Sequence, residues 1–261
     1  MLFDSHCHIH SPEFFNAEEA EEAYQSALKQ GVEGMLLVAT SVADSKAAIA
    51  FAHQHPANTW ATVGVHPHEA SKFNTEQLKE QLHELSLLAT DEKVVGVGEC
   101  GFDFYYNEKS ESLANQEALL RGQLDIAQKH HLPLSFHVRE AFDEFWRVLE
   151  DYQDVQAVLH SFTDQPHHAQ NALKRGFYLG INGIATFTNH LWQIEQFKTL
   201  PLESIILETD APFLTPKPKR GTINVPENVT YITNFLAELR GEDATAIAAA
   251  TTHNSRSLFR L

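Results

Sequence analysis

The chain has 261 residues, 43% of them hydrophobic, with 35 acidic against 19 basic side chains and a net charge of −16. That length suits one large domain or two small ones, with a sizeable core, no stretch approaches the roughly 18 continuous apolar residues of a membrane span, and the acidic balance speaks against a protein that coats duplex nucleic acid non-specifically, because such binding rests on Lys and Arg neutralising phosphates. The first ten residues carry Asp4 and no Lys or Arg, so no secretory leader is expected, and two cysteines, Cys7 and Cys100, make no disulfide framework, so a reducing, cytoplasmic setting is the expectation.

Taken in order, the apolar or β-branched runs are "LFDSHCHI", "GMLLVATS", "WATVGVHP", "VVGVGECGFD", "LPLSFHV", "VQAVLHSF", "FYLGING" and "IILETDAP". Between them lie longer amphipathic stretches such as "NTEQLKEQLHELSLLAT" and "QEALLRGQLDIAQKHH". Near-continuous hydrophobicity within the runs fits strands covered on both faces, hence a parallel sheet. Eight such units predict a (β/α)8 TIM barrel spanning residues 1–261 as a single domain, with a doubly wound open sheet as the runner-up. No linker or low-complexity tract divides the chain.

A barrel gathers its functional residues at the C-terminal ends of its strands. His6 and His8 stand near the end of the first run, His66 ends the third, Glu99 the fourth, His137 the fifth, His160 the sixth and Asp210 the eighth. In a strand, residues two apart share a face, so His6, His8 and His10 are expected to line up, and a buried row of imidazoles without polar partners is costly. Imidazole and carboxylate are the usual ligands of catalytic divalent metals. His6, His8, Glu99, His137, His160 and Asp210 are too many for one ion that also holds water, so two divalent ions are predicted. Glu99, from the middle of the strand order, bridges them; His6, His8 and Asp210 complete one site, and His137 with His160 the other.

The neighbouring residues divide by the same alternation. Cys7 must face away from His6 and His8, and Cys100 from Glu99, so both are expected to be small buried hydrophobes rather than thiolate ligands. His10 and His68 lie further out and are left unassigned. Glu208, two residues before Asp210, shares its inward face and either orients a ligand or pairs in the interior. The loop "DAPFLTPKPKRGTINVPENV" gathers Lys217, Lys219 and Arg220 between prolines in a chain short of positive charge. Loops after the last strands of barrels often bind phosphate, so Arg220 is an anion-contact candidate and a phosphoester substrate is indicated. Arg139, two residues after His137, is a second.

Together "DSHCHIH", "GVHPH", "VGECGFDF", "SFHVREA", "LHSF", "GINGIATF" and "ETDAPFLTPKPKRG" resemble, in this order, the TatD family of metal-dependent deoxyribonucleases, within the amidohydrolase-like barrels. The resemblance runs from the first residues to Pro226 and implies a barrel, a divalent-metal site and hydrolysis of nucleic-acid phosphodiesters. It places His6, His8, Glu99, His137, His160 and Asp210 at metal-binding positions and His66 at a substrate-site histidine. The chain departs from the family pattern at "HSFTD", with Asp164, and at "NVP", Asn224 to Pro226, where the family commonly reads "NEP"; neither touches a proposed ligand.

The mechanism so implied is metal-assisted hydrolysis, with Asp210 ligating metal and receiving the proton of the attacking water while His66, Arg139 and Arg220 contact phosphate oxygens. The acidic surface points to DNA or an oligonucleotide held single-stranded near an end, and so to exonucleolytic cleavage. Zinc, manganese and magnesium all suit the ligand types, and a monomer is compatible with the site. One alternative keeps the metals and changes the bond to an amide, imide or ester of a small molecule. Another is a non-catalytic barrel in which metal stabilises a partner-binding surface.

Overall fold

Each of the eight apolar runs overlaps a strand, and the helices fall between them. The computed structural model describes residues 1–105 and 109–261, with Glu111 described by its backbone alone. Its elements are β1 (Leu2–Cys7), α1 (Ala17–Lys29), β2 (Val32–Leu37), α2 (Val42–Gln54), β3 (Thr59–Val63), α3 (Thr75–Leu88), β4 (Val94–Asp103), α4 (Lys109–His130), β5 (Leu134–Arg139), α5 (Phe142–Leu149), β6 (Ala157–Leu159), α6 (Pro166–Lys174), β7 (Tyr178–Ile181), α7 (Leu191–Thr199) and β8 (Ile205–Leu207), followed by α8 (Val229–Arg240) and α9 (Ala244–Phe259). The strands stand in the sheet in chain order, β1 to β8, and the fold is a (β/α)8 barrel. Among the described residues no helix is long and apolar enough to cross a membrane.

Every strand but β4 is shorter than its apolar run, most of all β6 and β8, with three residues each. The chain leaves the ladder where function begins. Ser161 and Asp210, just past these strands, adopt left-handed φ values of 51° and 59°, a region that Asp tolerates better than most residues. His8, His66, His160 and Asp210 therefore lie beyond the last paired residues, whereas Glu99 and His137 stay within β4 and β5.

Two compact units are distinguished by their internal packing. The first comprises Met1–Leu37, Ala57–Thr59 and Ser161–Leu261. Its helix α1 buries Ala20, Ala23, Tyr24 and Ala27, the three-and-four spacing of one helical face. Asn16 starts that helix by accepting from the backbone N–H groups of Glu18 and Glu19, while Glu19 returns a carboxylate to the N–H of Asn16. Helix α9 packs on β1 and β8, and these strands are tied beyond their ends by N–H donation from Asp210 to the His6 carbonyl (2.9 Å) and from His8 to the Ala211 carbonyl (2.8 Å).

The second unit comprises Val38–Pro56 and Trp60–His160. Strand β5 lies parallel between β4 and β6, with Gly101 opposite His137 and Asp103 opposite Arg139. Glu99 follows Gly98 and precedes Gly101 by two, and both glycines need their freedom: their φ values are 146° and 148°, and a Cβ would fall 2.4 Å from the Ser135 carbonyl oxygen or 1.9 Å from that of His137. Helix α4 presents Gln116 and Gln123, seven residues apart on one face and fully buried. Each amide clamps a strand end: Gln116 accepts from the N–H of Asp103 and donates to its carbonyl, both at 2.9 Å, and Gln123 does the same to Val65 at 2.8 and 3.0 Å. The residue after Val65 is His66.

Candidate active site

In the first unit, His6 and His8 share a face as strand alternation requires, and their Nε2 atoms are 3.2 Å apart. Asp210 Oδ1 lies 3.6 Å from the first and 3.4 Å from the second. His6 and His8 are buried. Nitrogen and oxygen ligands about 2.1 Å from a tetrahedral ion stand about 3.4 Å from one another, so this triangle has the dimensions of one face of a metal's coordination shell. The residues fit a divalent ion. Behind them Asp4, two residues before His6 and fully buried, accepts from the His6 N–H (3.3 Å), the Thr209 N–H (2.8 Å) and the Thr209 hydroxyl (2.6 Å). Burial pushes the Asp4 carboxyl up to about 8 against these hydrogen bonds.

Glu208 is buried and accepts from the Ser161 N–H at 2.6 Å through Oε1. Its other oxygen would sit 2.4 Å from a Cβ at position 180, so Gly180 of β7 leaves the space this carboxylate occupies. Glu208 thus fixes the backbone that follows His160. His10 does not continue the row: β1 ends at Cys7, and the His10 ring lies 6.3 Å from that of His8 at a 45° tilt.

In the second unit, three imidazoles converge on one oxygen. Glu99 Oε1 lies 2.8 Å from His137 Nδ1, 3.1 Å from His160 Nε2 and 3.6 Å from His66 Nε2. Burial alone would raise the Glu99 pKa, but the nearby His160 charge and the hydrogen bonds from His137 and His160 outweigh it and hold the carboxyl well below the usual range. The carboxyl is ionised. Beyond His137 stands Asp103, whose Oδ2 lies 2.8 Å from His137 Nε2 and 3.0 Å from His68 Nε2. Burial works against ionisation there too, and hydrogen bonds from His137 and His68 overcome it. His137, between two carboxylates, has its pKa raised although burial opposes this.

His66 is different. Its Nδ1 accepts the backbone N–H of His68 at 3.1 Å, so in the neutral ring the proton is on Nε2. Burial, with the neighbouring His137 charge, lowers its pKa well below the ordinary value. His66 therefore presents a neutral N–H donor, suited to an anionic oxygen.

Both cysteines are buried and point elsewhere, Cys7 Sγ toward the Leu36 carbonyl at 3.6 Å and Cys100 Sγ toward that of Ser135 at 3.8 Å. Burial pushes both thiols up. The two arginines are exposed: the Arg139 guanidinium stacks 3.6 Å over the Tyr105 ring, and that of Arg220 lies 4.0 Å over Phe187 while donating to the Thr215 carbonyl. Asp103 and Asp4 are the site residues that motif reading passed over. Their signal is the alternation already used, since Asp103 is four residues from Glu99 on β4 and Asp4 two from His6 on β1.

A (β/α)8 fold with ionised carboxylates and imidazoles gathered at strand C-terminal ends defines the class of metal-dependent barrel hydrolases. Over residues 3–260 the sequence matches the family described as TatD related DNase, and the chain belongs to that family. It is 35% identical over 265 residues to the 3'-5' ssDNA/RNA exonuclease TatD of Enterobacter lignolyticus, covering 99% of this chain and 98% of that protein. It is 31% identical over 263 residues to the uncharacterized metal-dependent hydrolase YabD of Bacillus subtilis, with full coverage of both. The crystal structure of YJJV, a TatD homolog from Escherichia coli K12, superposes with a TM-score of 0.88 at 30% identity, covering 100% of this chain and 98% of that one.

Proposed function

We propose that this chain, acting as one unit over residues 1–261, is a divalent-metal-dependent 3'-5' exonuclease of single-stranded DNA or RNA. The observation that carries the reading is the convergence of His66, His137 and His160 on the buried, ionised Glu99; the substrate follows the TatD relatives. His6, His8, Glu99, His137, His160 and Asp210 hold two ions, of zinc, manganese or magnesium. Bound there, such ions lower the pKa of water and neutralise charge on the scissile phosphate.

The protein's own groups divide the remaining work. Asp103 accepts from His137 Nε2 and so orients the ring, the carboxylate–histidine arrangement that fixes a ligand's tautomer and basicity, while Nδ1, which faces Glu99, is the nitrogen that would meet the ion. Asp210, held at φ 59° with its N–H on the His6 carbonyl, receives the proton of the attacking water. His66 donates Nε2–H to a phosphate oxygen, and Arg139 and Arg220 contact flanking phosphates. Two unpaired, buried cysteines suit a cytoplasmic protein.

The test is digestion of single strands labelled at the 5' or the 3' end, DNA and RNA in parallel. The reading predicts a descending ladder from the 5' label and immediate release of mononucleotide from the 3' label. Internal fragments from both labels would contradict it.

A further inference from the structure

We propose that Phe213, backed by Phe14, is a stacking platform for the nucleobase that flanks the scissile phosphate; this deepens the exonuclease reading above and rests on it. Phe213 is 46% exposed, and it and Tyr105 are the only exposed Phe, Tyr or Trp side chains among the described residues. The Tyr105 ring is covered by Arg139. Among the described residues no cation stacks on Phe213, and its neighbours are aromatic: Phe14 at 5.1 Å between ring centroids and 80° between planes, and His8 at 6.3 Å and 67°. Phe14 also meets His8, at 6.4 Å and 64°. Edge-on contacts of this kind use at most one face of one ring in each pair, so flat apolar surface remains open beside a proposed metal ligand.

The backbone of the platform is tied to Asp210 and to the buried Asn224. Phe213 follows Asp210 by three residues and donates its N–H to the Asp210 carbonyl at 2.8 Å. Its own carbonyl accepts from the side chain of Asn224 at 2.6 Å, and the same amide nitrogen reaches the Thr209 carbonyl at 2.8 Å. Asn224 is fully buried and is held in turn by Asn228 at 2.8 Å. Phe14 closes a turn on Ser11, whose N–H bonds the His8 carbonyl. A half-exposed phenylalanine fixed by its backbone two short turns from His8 and Asp210 gives little core stability, yet it is well placed for a base. Stacking on aromatic rings is how single strands are bound without sequence preference, because every base has a π-face. In a chain of net charge −16, it also supplies affinity without cations.

The experiment compares wild type with Phe213→Ala, Phe213→Leu and Phe213→Tyr on two single strands, one normal and one abasic at the nucleotides flanking the cleaved bond. On the normal strand kcat/KM should fall about tenfold or more in the Ala and Leu variants and be retained in Tyr; on the abasic strand all four should be equal. A 2-aminopurine placed at the 3' end, with metal-free protein, should be quenched by wild type and Tyr but not by Ala or Leu. An active wild type whose Ala variant is unimpaired, or equally impaired on both strands, overturns the platform alone. A wild type inert on both strands with every divalent metal overturns the exonuclease reading and the platform with it.

Discussion

His137 shows how much chemistry one residue takes from its neighbours. Its two nitrogens each face a carboxylate at 2.8 Å, Glu99 on one side and Asp103 on the other. Glu99 was legible because the metal argument asked for a carboxylate at a strand end. Asp103 was not, because it touches His137 and His68 instead of standing among the proposed ligands, and it stands out only once β4 is known to run unbroken to it. Its role is testable: Asp103→Ala should weaken metal binding about 10–100-fold, measured by competition with a chelating dye, with the melting curve of the metal-free protein as the check on folding. Unchanged affinity would reduce Asp103 to a buried structural partner of His137 and His68. His66 divides from the other histidines at the same scale, through the single N–H of His68 that fixes its tautomer, a contact that residue types alone do not disclose.

Among the elements, the fourth apolar run coincides with β4, Val94–Asp103, because both of its faces are covered and its length is set by burial. The runs around β6 and β8 overshoot: hydrophobicity continues through residues that have already turned out of the ladder at Ser161 and Asp210. Helix α4 carries the element-scale feature that periodicity hides. Gln116 and Gln123 are polar residues on a buried face, and each satisfies both backbone groups of a strand-end residue. Replacing Gln123 with Leu leaves the N–H and the carbonyl of Val65 without those partners in the interior, which should cost at least about 2 kcal/mol. For a chain of this size that lowers the melting temperature by roughly 5 °C, read by calorimetry. A melting curve that does not move would mean the clamp is replaced by water or by the backbone itself.

For the molecule as a whole, net charge and substrate pull in opposite directions. A surface of −16 repels a polyanion at long range, so affinity has to come from the metal ions, from stacking and from few cationic contacts. With Arg139 and Arg220 as the two phosphate contacts, raising salt from 50 to 200 mM should weaken single-strand binding only about sevenfold. A loss of roughly a thousandfold, measured by fluorescence anisotropy, would show a cationic track that this account lacks.

The central claim, that Glu99 organises a metal-dependent nuclease centre, is met most directly by one comparison. Wild type and Glu99→Ala are stripped of metal, resupplied with magnesium, manganese or zinc, and assayed for bound metal and for cleavage of end-labelled single-stranded DNA. The account predicts that wild type binds two ions and cleaves only when resupplied, and that the variant loses both ions and the cleavage together. Full metal content and cleavage in the variant would contradict the role of Glu99, and a wild type that binds two ions yet leaves the strand intact would move the centre to small-molecule hydrolysis.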